Sequence, residues 1–466
     1  MHRLNRRTFV QRASAGLALP LVGSAWSAVA SAPRKSVGVK QVSTTFEREP
    51  LATPYGFKGG YMTDVWQTVV RLQSTTGRHR IGLGTQNVLW SDARVFTNHS
   101  ESGGNALMYA VTERAAQMIK GQTFSSPIQL QEQILEELIA YGKQITNNPK
   151  LRPTFVLNAL VAVDNAAWLL YADENGIDQF DAMVPQAYRA ALGYRHPQVV
   201  SIPSFSFATP VAQMEQLAQE GYFFMKIKLG HPGPQREMIE ADKAKLTAIH
   251  QAIGPGSTTY TADGKIPYYF DMNGRYESKD TLLELLDHAR SIGAFEQIVV
   301  VEEPFPEEYE ADVSDVGVRV VADESAHTEQ DVLTRIEMGY GGIALKPIAK
   351  TLSMTLKMAR VAHEKQVPCL CADLTVNPIL VDWNKNVAAR LAPWPGFEKV
   401  GLMENNGHQN YRDWNEMLSY HPYPQADWAR AKDGVFTLGR DFYTRSGGIF
   451  APSDHYEALF TKSDSK

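Results

Sequence analysis

The feature that most constrains the fold is a series of short apolar segments, separated by helical patterns, which runs from Val199 to about residue 420. Such alternation is typical of parallel strands buried on both faces. Eight segments are predicted as strands: Val200–Phe207, Phe223–Leu229, Tyr268–Met272, Ile298–Glu302, Val318–Asp323, Gly342–Lys346, Pro368–Asp373 and Lys399–Glu404. Six helices are predicted between them: Val211–Glu220, Gln235–Ala252, Lys279–Ile292, Gln330–Met338, Leu352–Lys365 and Pro378–Leu391. This pattern predicts an α/β fold, a (β/α) barrel of about eight strands over residues 197–420.

The chain before the barrel has a different pattern. Short alternating segments between residues 36 and 111, such as Val37–Ser43 and Val65–Leu72, predict an antiparallel meander. Apolar residues then recur three and four positions apart over three predicted helices: Asn105–Ile119, Ile128–Ile145 and Thr154–Tyr171. Residues 33–196 are therefore predicted to form an α+β domain, and residues 421–466 to pack back on it.

The first 32 residues are predicted to be a targeting signal. Arg6 and Arg7 precede an apolar run, Ala15–Val29, which ends in Ala30–Ala32. This arrangement is typical of a twin-arginine export signal. A run of about 15 mostly small residues is short for a membrane span, so no membrane anchor is expected in the mature form. The expected location is the periplasm, or another compartment reached by the twin-arginine route.

The net charge of residues 33–466 bears on whether the protein binds nucleic acid. The whole chain has 46 Lys and Arg against 51 Asp and Glu. Four of the arginines and none of the acids lie in residues 1–32, so 42 basic residues remain against 51 acidic ones, a formal charge of −9. An acidic surface argues against binding to nucleic acid.

Polar side chains lie at the ends of five consecutive predicted strands, where barrel enzymes build their active sites. The second strand ends in Met225–Leu229, where alternation turns Lys226 and Lys228 to one side and the apolar residues to the other. Because the apolar side meets the outer helices, both lysines are expected to point into the barrel. The next four strands end in Asp271–Asn273, Glu302–Pro304, Asp323–Glu324 and Lys346–Pro347.

Carboxylates and lysines buried together predict a metal site, because either kind of charge is costly to bury alone. Asp271, Glu302 and Asp323 would supply three oxygens, which suits an octahedral Mg²⁺ site with positions left for water and substrate. Mg²⁺, or Mn²⁺ in its place, is therefore the expected cofactor. A cation beside the lysines disfavours their charged form, so their pKa values are expected to suit proton transfer. Glu303 and Glu324 are expected to point away from the metal and to support its ligands.

These residues carry a resemblance to a known family. The motifs Lys226-Ile-Lys228, Asp271-Met-Asn273, Glu302-Glu-Pro304, Ala322-Asp-Glu-Ser325 and Lys346-Pro347 resemble the enolase superfamily and, within it, the muconate-lactonizing subgroup of mandelate racemase/muconate lactonizing enzyme-like proteins. Five motifs in order on consecutive strands are specific, and the resemblance covers nearly the whole chain after residue 32. It implies a TIM-like barrel of the enolase type with residues 33–196 as its capping domain.

The resemblance implies removal of a proton α to a carboxylate, with magnesium stabilising the enediolate. By motif match, Lys228 and Lys346 would face the α-carbon from opposite sides. One lysine takes the proton and, in a racemase or epimerase, the other returns it. Lys226 would lower the pKa of Lys228 and contact the substrate carboxylate. The implied substrate is a small-molecule carboxylate, such as an amino acid derivative or a dipeptide, and the family expectation is a homo-oligomer.

Differences between this sequence and the motifs of the family reduce the number of activities that fit the chain. Strand seven, Cys369–Leu374, has no His, which weighs against acid-sugar dehydratases of the mandelate racemase subgroup. Dipeptide epimerases place Asp-x-Asp after strand eight to hold the substrate ammonium, whereas this chain has Glu404-Asn405-Asn406. Two alternatives to a racemase or epimerase therefore stay open. One is a syn-dehydratase or cycloisomerase of a hydroxy or sugar acid that uses the same intermediate, and the other is a non-catalytic periplasmic binding protein.

Substrate contacts are expected from strand ends and from the capping domain. The candidates are Asn273, Asp373, Asn377, Glu404 and Tyr61. Two capping-domain loops, Thr53–Tyr61 and Gln86–Trp90, are predicted to close over the barrel and exclude water.

Overall fold

The structure is a computed structural model that describes residues 34–57 and 60–461. The predicted export signal, residues 1–32, lies outside the described residues. The capping domain and the barrel lie within one compact unit.

The capping domain is built on an antiparallel sheet with the strand order β3-β2-β1-β4. Its strands are β1 (Val37–Phe57), β2 (Gly60–Ser74), β3 (His79–Gln86) and β4 (Thr123–Phe124). Its helices are α1 (Val88–Ser91), α2 (Ala93–Ile119), α3 (Pro127–Ile145), α4 (Pro153–Glu174) and α5 (Phe180–Met183). The predicted meander and the three predicted helices are present, but the meander ends at Gln86 and α2 begins twelve residues earlier than predicted. A further short strand, β4, follows α2.

The helix α4 lies at the centre of this domain. It is the one helix in the described part of the chain that is long and apolar enough to cross a membrane, yet its apolar stretch is wholly buried in the protein. Its residues also join the capping domain to the barrel. The Asp164 Oδ2 atom accepts a hydrogen bond from the Ser353 N–H at 3.1 Å, and the Trp168 Nε1–H donates to Ser353 Oγ at 3.0 Å. The helix is therefore a core helix that binds the two domains together.

The barrel strands and helices follow the predicted order. The strands are β5 (Gln198–Ile202), β6 (Ser204–Phe205), β7 (Met225–Lys228), β8 (Tyr268–Asp271), β9 (Ile298–Glu302), β10 (Val320–Ala322), β11 (Gly342–Leu345), β12 (Cys369–Cys371) and β13 (Val400–Glu404). The helices are α6 (Val211–Gln219), α7 (Gln235–Ile253), α8 (Lys279–Ser291), α9 (Glu329–Glu337), α10 (Leu352–Glu364) and α11 (Pro378–Ala388). Each predicted strand and helix of the barrel is confirmed within a few residues.

The sheet closes through the first strand, which Pro203 divides into β5 and β6. The segment β5 pairs in parallel with β13, and β6 pairs in parallel with β7. Backbone hydrogen bonds on both sides continue the ladder: the Asn405 N–H donates to the Ile202 carbonyl oxygen, and the Lys226 N–H to that of Pro203, each at 2.9 Å. Since proline has no N–H to donate, its position interrupts the strand without leaving a donor unpaired. The predicted (β/α) barrel is therefore confirmed.

The C-terminal segment contains α12 (Gly407–Asn410), α13 (Trp414–Ser419), β14 (Val435–Thr437), α14 (Arg440–Arg445) and α15 (Asp454–Thr461). The strand β14 pairs antiparallel with β5 and so extends the barrel sheet, which the sequence pattern did not predict. The helix α15 contacts the capping domain, where His455 Nε2 lies 2.8 Å from Glu47 Oε2. The expectation that residues 421–466 pack on the capping domain was therefore incomplete, because an isolated three-residue strand has too little periodicity to be recognised.

Candidate active site

The predicted site residues converge at the carboxyl ends of the barrel strands. Pairing aligns Lys228 of β7 with Asp271 of β8, and Asp271 with Glu302 of β9. Asp323 directly follows β10 and Lys346 directly follows β11. All of these side chains are buried. The strand register thus brings together residues that are far apart in sequence.

Lys226 lies at the centre of the carboxylates. Its Nζ atom is 2.8 Å from Glu302 Oε1, 2.9 Å from Asp271 Oδ2 and 3.2 Å from Glu404 Oε2. The Lys228 Nζ atom donates to the same Asp271 Oδ2 at 2.5 Å. Both lysines therefore point into the barrel, as the alternation predicted.

Lys346 lies four strand positions from Lys228 in an eight-stranded barrel, and so on the opposite side. Its Nζ atom donates to Asp323 Oδ2 at 2.6 Å. The same ammonium lies 4.2 Å from the centre of the Trp90 ring, which α1 of the capping domain supplies. A cation over an aromatic face is attracted by the ring quadrupole. The two candidate bases therefore reach the centre from two opposite walls.

A carboxylate cluster lies between these lysines. Glu302, Asp323 and Glu324 each offer one oxygen, and the three oxygens lie within 4.8 Å of one another. Asp271, which was predicted as a ligand, is not one of these three, and its Oδ2 atom accepts hydrogen bonds from Lys226 and Lys228. Glu324, predicted to point away, belongs to the cluster instead, and its Oε1 accepts a hydrogen bond from Asn273 Nδ2 at 3.0 Å.

Glu303 supports the cluster from outside, as predicted. Its Oε2 atom accepts hydrogen bonds from the Asp323 N–H at 2.7 Å and from Ser325 Oγ at 3.1 Å. Its φ of 39° lies in the left-handed region, which glutamate rarely adopts. The turn after β9 is therefore held in an uncommon conformation by contacts to the turn after β10.

The electrostatics of the cluster fit a divalent cation. Burial and the negative charges of Asp271 and Asp323 raise the pKa of Glu302 well above its usual range. Burial and the neighbouring Glu324 raise the pKa of Glu303 to about 7. Carboxylates this close repel one another when ionised, and a divalent cation relieves that repulsion. The donor set is all oxygen, which is the set that Mg²⁺ prefers.

The surrounding carboxylates dominate the pKa values of the two lysines of β7. Burial alone would lower the pKa of Lys226, but Asp271, Glu302 and Glu404 outweigh it and raise the pKa well above the usual range. Burial and the charge of Lys226 both act to lower the pKa of Lys228, as predicted, yet Asp271 outweighs them and the pKa is raised. The surrounding carboxylates therefore favour the charged form of both lysines.

A cavity opens above these groups, between the barrel and the capping domain. Asn273, Asp373 and Glu404, three of the candidate substrate contacts, lie in its wall. The full lining is Tyr55, Met62, Asn87, Trp90, Lys226, Lys228, Asn273, Asp323, Lys346, Asp373, Leu374, Thr375, Glu404 and Asn406. Both predicted capping-domain loops contribute residues to it.

Two candidate substrate contacts do not lie in this wall. Asn377 caps α11, where its Oδ1 accepts a hydrogen bond from the Leu380 N–H at 3.0 Å, and its Nδ2 donates to Gln67 Oε1 at 3.0 Å. Tyr61 is 66% exposed on β2, and Tyr55 and Met62 line the cavity in place of it. A helix cap and a neighbouring position on a hairpin are indistinguishable from substrate contacts in the sequence alone.

Residues 210–416 match the family described as "Enolase C-terminal domain-like". The barrel of this chain belongs to the enolase superfamily. No curated protein matches the sequence.

Solved structures share the fold of this chain, including the capping domain. A dipeptide epimerase from Enterococcus faecalis, in complex with Mg and the dipeptide L-Leu-L-Tyr, is 18% identical with a TM-score of 0.59, and the match covers 86% of this chain and 97% of that one. The L-Ala-D/L-Glu epimerase from Bacillus subtilis is 15% identical with a TM-score of 0.56, covering 80% and 91%. The N-succinyl Arg/Lys racemase from Bacillus cereus is 16% identical with a TM-score of 0.56, covering 80% and 89%. At these identities the likeness establishes the fold.

Two residues of this site were not predicted from the sequence. The Tyr269 hydroxyl donates a hydrogen bond to Glu302 Oε2, and the Lys350 Nζ atom donates to the carbonyl oxygens of Asp323 and Ala326 at 2.6 and 2.8 Å. Strand alternation could have found Tyr269, which lies two residues before Asp271 and so on the same face. No local signal distinguishes Lys350, which lies in a loop four residues after Lys346.

Proposed function

We propose that the protein is a magnesium-dependent racemase or epimerase that removes the proton α to the carboxylate of an amino acid derivative, a dipeptide or a related acid. One observation carries the proposal: Lys228 and Lys346 enter the cavity from opposite walls of the barrel, with the carboxylate cluster between them. Two opposed bases are what an enzyme needs to invert a carbon centre, since the proton leaves one face and returns on the other.

The structural neighbours support this class of reaction. They include dipeptide epimerases solved with Mg and dipeptides, the L-Ala-D/L-Glu epimerase and the N-succinyl Arg/Lys racemase. All of these act by changing configuration at a carbon. Because the shared fold alone does not transfer an activity, the proposal for this chain depends on its own lysines and carboxylates.

Mg²⁺, or Mn²⁺ in its place, would be held by Glu302 and Asp323, with Glu324 as the further carboxylate beside them. Asp271 would join these ligands by exchanging its contacts with Lys226 and Lys228 for the cation. A divalent cation here would stabilise the negative charge that develops on the substrate carboxylate as the proton leaves. Ligation of Asp271 would also weaken the attraction that raises the pKa of Lys228, so that Lys228 loses its proton more readily.

The lysines have separate roles in this scheme. Either Lys228 or Lys346, in its neutral form, accepts the α-proton at Nζ, and the other, in its ammonium form, donates a proton to the opposite face. Lys226, held between three carboxylates, stays charged and binds the substrate carboxylate. The capping-domain residues Trp90 and Tyr55 cover the cavity and limit the entry of water.

The decisive experiment follows α-proton exchange in deuterated water by NMR. The mature protein with Mg²⁺ is incubated with separate enantiomers of amino acids, dipeptides, N-acyl amino acids and hydroxy acids. Exchange is expected for a carboxylate of one of these classes, only when Mg²⁺ is present. Lys346→Ala is expected to retain exchange with one enantiomer, and Lys228→Ala with the other, because each lysine serves one face.

The control variant is Lys120→Ala, which removes an exposed lysine at the end of α2. Exchange that survives in the Lys228→Ala, Lys346→Ala double variant would contradict the proposal. Release of water from hydroxy acids would indicate a dehydratase, and Mg²⁺ binding without exchange in any class would indicate a binding protein.

We further propose that the protein is exported through the twin-arginine route and acts on a small molecule in the periplasm as a homo-oligomer, without a membrane anchor. The support is the sequence from Asn5 to Ala32 and the acidic balance of the rest of the chain. Replacement of Arg6 and Arg7 by lysine is expected to retain the protein in the cytoplasm, as measured by fractionation. Unchanged secretion would contradict this proposal.

A further inference from the structure

A fully buried lysine lies beside the turn that follows β10. The Lys350 Nζ atom donates hydrogen bonds to the carbonyl oxygens of Asp323 at 2.6 Å and Ala326 at 2.8 Å. The same atom lies 3.4 Å from Asp323 Oδ1. Since an ammonium group has three N–H donors, these three oxygens account for all of them. The side chain of Lys350 is 0% exposed, so every contact it makes is with the protein itself.

The turn that Lys350 contacts carries two of the three residues of the carboxylate cluster, Asp323 and Glu324. The two carbonyl groups bound by Lys350 belong to the first and last residues of the segment Asp323–Ala326, which contains both carboxylates. A common donor for both ends of a short segment restricts its backbone, and hydrogen bonds around a metal site orient the ligands. Lys350 is therefore placed to set the positions of these two carboxylates.

The backbone next to Lys350 has a conformation that threonine rarely adopts. Thr351 has a φ of 66° and a ψ of 154°, a region populated almost only by glycine. Its Oγ1 atom donates to Gln131 Oε1 in α3 of the capping domain and accepts a hydrogen bond from the Met354 N–H at 3.1 Å. A strained backbone persists only where the surrounding contacts enforce it. The chain is therefore held in place at the residue that follows Lys350.

Lys350 and Lys346 contact the same carboxylate but differ in what else they contact. The two residues lie one helical turn apart, because the Ala349 and Lys350 N–H groups both donate to the Lys346 carbonyl oxygen. Lys346 binds Asp323 Oδ2 and lines the cavity. Lys350 is not among the described residues that line the cavity, and two of its three contacts are with main-chain oxygens. A substrate in the cavity would therefore meet Lys346 and not Lys350.

We infer that Lys350 is a positioning residue of the metal site, which holds the turn of Asp323 and Glu324 in the shape that Mg²⁺ requires and so favours Mg²⁺ over the larger Ca²⁺. Mg²⁺ demands near-ideal octahedral geometry with oxygens at about 2.0–2.1 Å, whereas Ca²⁺ accepts irregular geometry at about 2.3–2.6 Å. A turn that is free to move would therefore weaken Mg²⁺ binding more than Ca²⁺ binding. The inference rests on the proposed function for the presence of a divalent cation at the carboxylate cluster.

The test measures the affinities of the mature protein for Mg²⁺ and Ca²⁺ by calorimetry, after removal of metal with EDTA and without substrate. The variant Lys350→Met keeps the approximate length of the side chain but removes all of its donors. Its affinity for Mg²⁺ is expected to fall by about tenfold or more, as is usual when a partner that orients metal ligands is lost. Its affinity for Ca²⁺ is expected to fall by less than about threefold, because Ca²⁺ tolerates displaced ligands.

Two further variants separate position from charge. Lys346→Met removes a positive charge beside the same carboxylate but leaves the main-chain contacts of Lys350 intact. Because that change in charge acts alike on both divalent cations, the ratio of the two affinities is expected to stay within about twofold of the native value. Lys365→Met removes an exposed lysine at the end of α10 and is expected to change neither affinity. Circular dichroism and thermal unfolding in EDTA verify that the variants are folded.

Three results would overturn the inference. They are an equal fall of both affinities in Lys350→Met, an unchanged or raised Mg²⁺ affinity in that variant, and an equal fall of the affinity ratio in Lys346→Met. If Lys350→Met does not fold, Lys350→Gln replaces it, since its amide is one atom shorter and reaches fewer of the oxygens. An unchanged affinity ratio in Lys350→Gln would then overturn the inference, and a lowered ratio would support it.

The same measurements distinguish this inference from the proposed function. The proposed function is tested by α-proton exchange, whereas the inference is tested by cation affinities without substrate. Mg²⁺ binding by the native protein without exchange of any compound would contradict the proposed function, and the affinity ratios would still decide the role of Lys350. If the native protein binds no Mg²⁺, both are overturned.

Discussion

The Nζ atom of Lys346 lies 4.2 Å from the centre of the Trp90 ring, so a candidate base of the barrel is covered by an aromatic side chain of the capping domain. Lys346 follows β11, and Trp90 lies in α1, more than 250 residues earlier in the chain. The contact therefore exists only when the two domains are packed together, and it makes the capping domain part of the candidate active site.

Replacement of Trp90 tests the importance of this contact. Trp90→Phe keeps an aromatic face and is expected to retain most of the exchange activity, whereas Trp90→Leu is expected to lower kcat/KM by about fivefold to tenfold, since a partly buried cation–π contact is worth about 1 kcal/mol. Initial rates at several substrate concentrations provide the measurement. Equal activity of the Phe and Leu variants would show that the ring face has no role.

Arg152 is expected to position Trp90. Its Nη1 atom donates to the carbonyl oxygens of Trp90 at 3.0 Å and Ser91 at 3.2 Å, and its Nη2 atom donates to that of Glu324 at 2.9 Å. The Arg152 guanidinium therefore links α1 of the capping domain, through hydrogen bonds, to the turn that carries Asp323.

The variant Arg152→Ala is expected to lose about tenfold or more in kcat/KM, because buried carbonyl groups of both domains lose their shared donor. Added guanidinium is expected to restore part of the activity by filling the vacated position. The variant Arg152→Lys is expected to retain less activity than the native protein, since an ammonium lacks the planar fork of the guanidinium. A loss in Arg152→Ala that guanidinium does not reverse would indicate a general folding defect.

Mg²⁺ is expected to stabilise the folded protein. A ligand that binds only the native state adds about 2.7 kcal/mol to the free energy of unfolding at a concentration of 100 times its Kd. Thermal unfolding with and without Mg²⁺ measures the effect. Asp323→Asn, which removes one charge of the carboxylate cluster, is expected to abolish most of the stabilisation, whereas the exposed Asp287→Asn is expected to preserve it.

His196 is expected to make the fold sensitive to acid. Its Nε2–H donates to the Leu391 carbonyl oxygen at 3.0 Å, and burial lowers its pKa to about 4. Between about pH 6.5 and pH 4 the unfolded chain then binds more protons at this histidine than the folded protein does. The contribution of His196 to the free energy of unfolding is therefore fully present above pH 6.5. It is lost as the pH falls toward 4, and the loss amounts to about 3 kcal/mol.

Urea unfolding at pH 7.5 and pH 4.5 measures this loss. In His196→Gln the amide can still donate to Leu391 but does not titrate, so the variant is expected to lose less stability over this range than the native protein. Identical losses in the two proteins would contradict the prediction. His99→Gln, at a partly buried position on α2, provides the control.

Most of the site was predictable because it lies on regular strands. Alternation along β7 predicted that Lys226 and Lys228 share a face, and barrel geometry predicted that the ends of consecutive strands meet. The structure places these residues together with Asp271, Glu302, Asp323 and Lys346. The two candidates that do not line the cavity, Asn377 and Tyr61, lie outside barrel strands, where no periodicity relates a residue to the cavity.

The sequence by itself determined the order of strands and helices, the family, and the strand-end residues that meet at the barrel mouth, because each of these follows from local periodicity and short motifs. The tertiary structure alone decided that Trp90 covers Lys346, that Glu324 joins the carboxylate cluster while lysines bind Asp271, and that Asp373 lies beside Glu404. Those relationships depend on contacts between distant segments, whose distances and charges become defined only when the domains pack and exclude water.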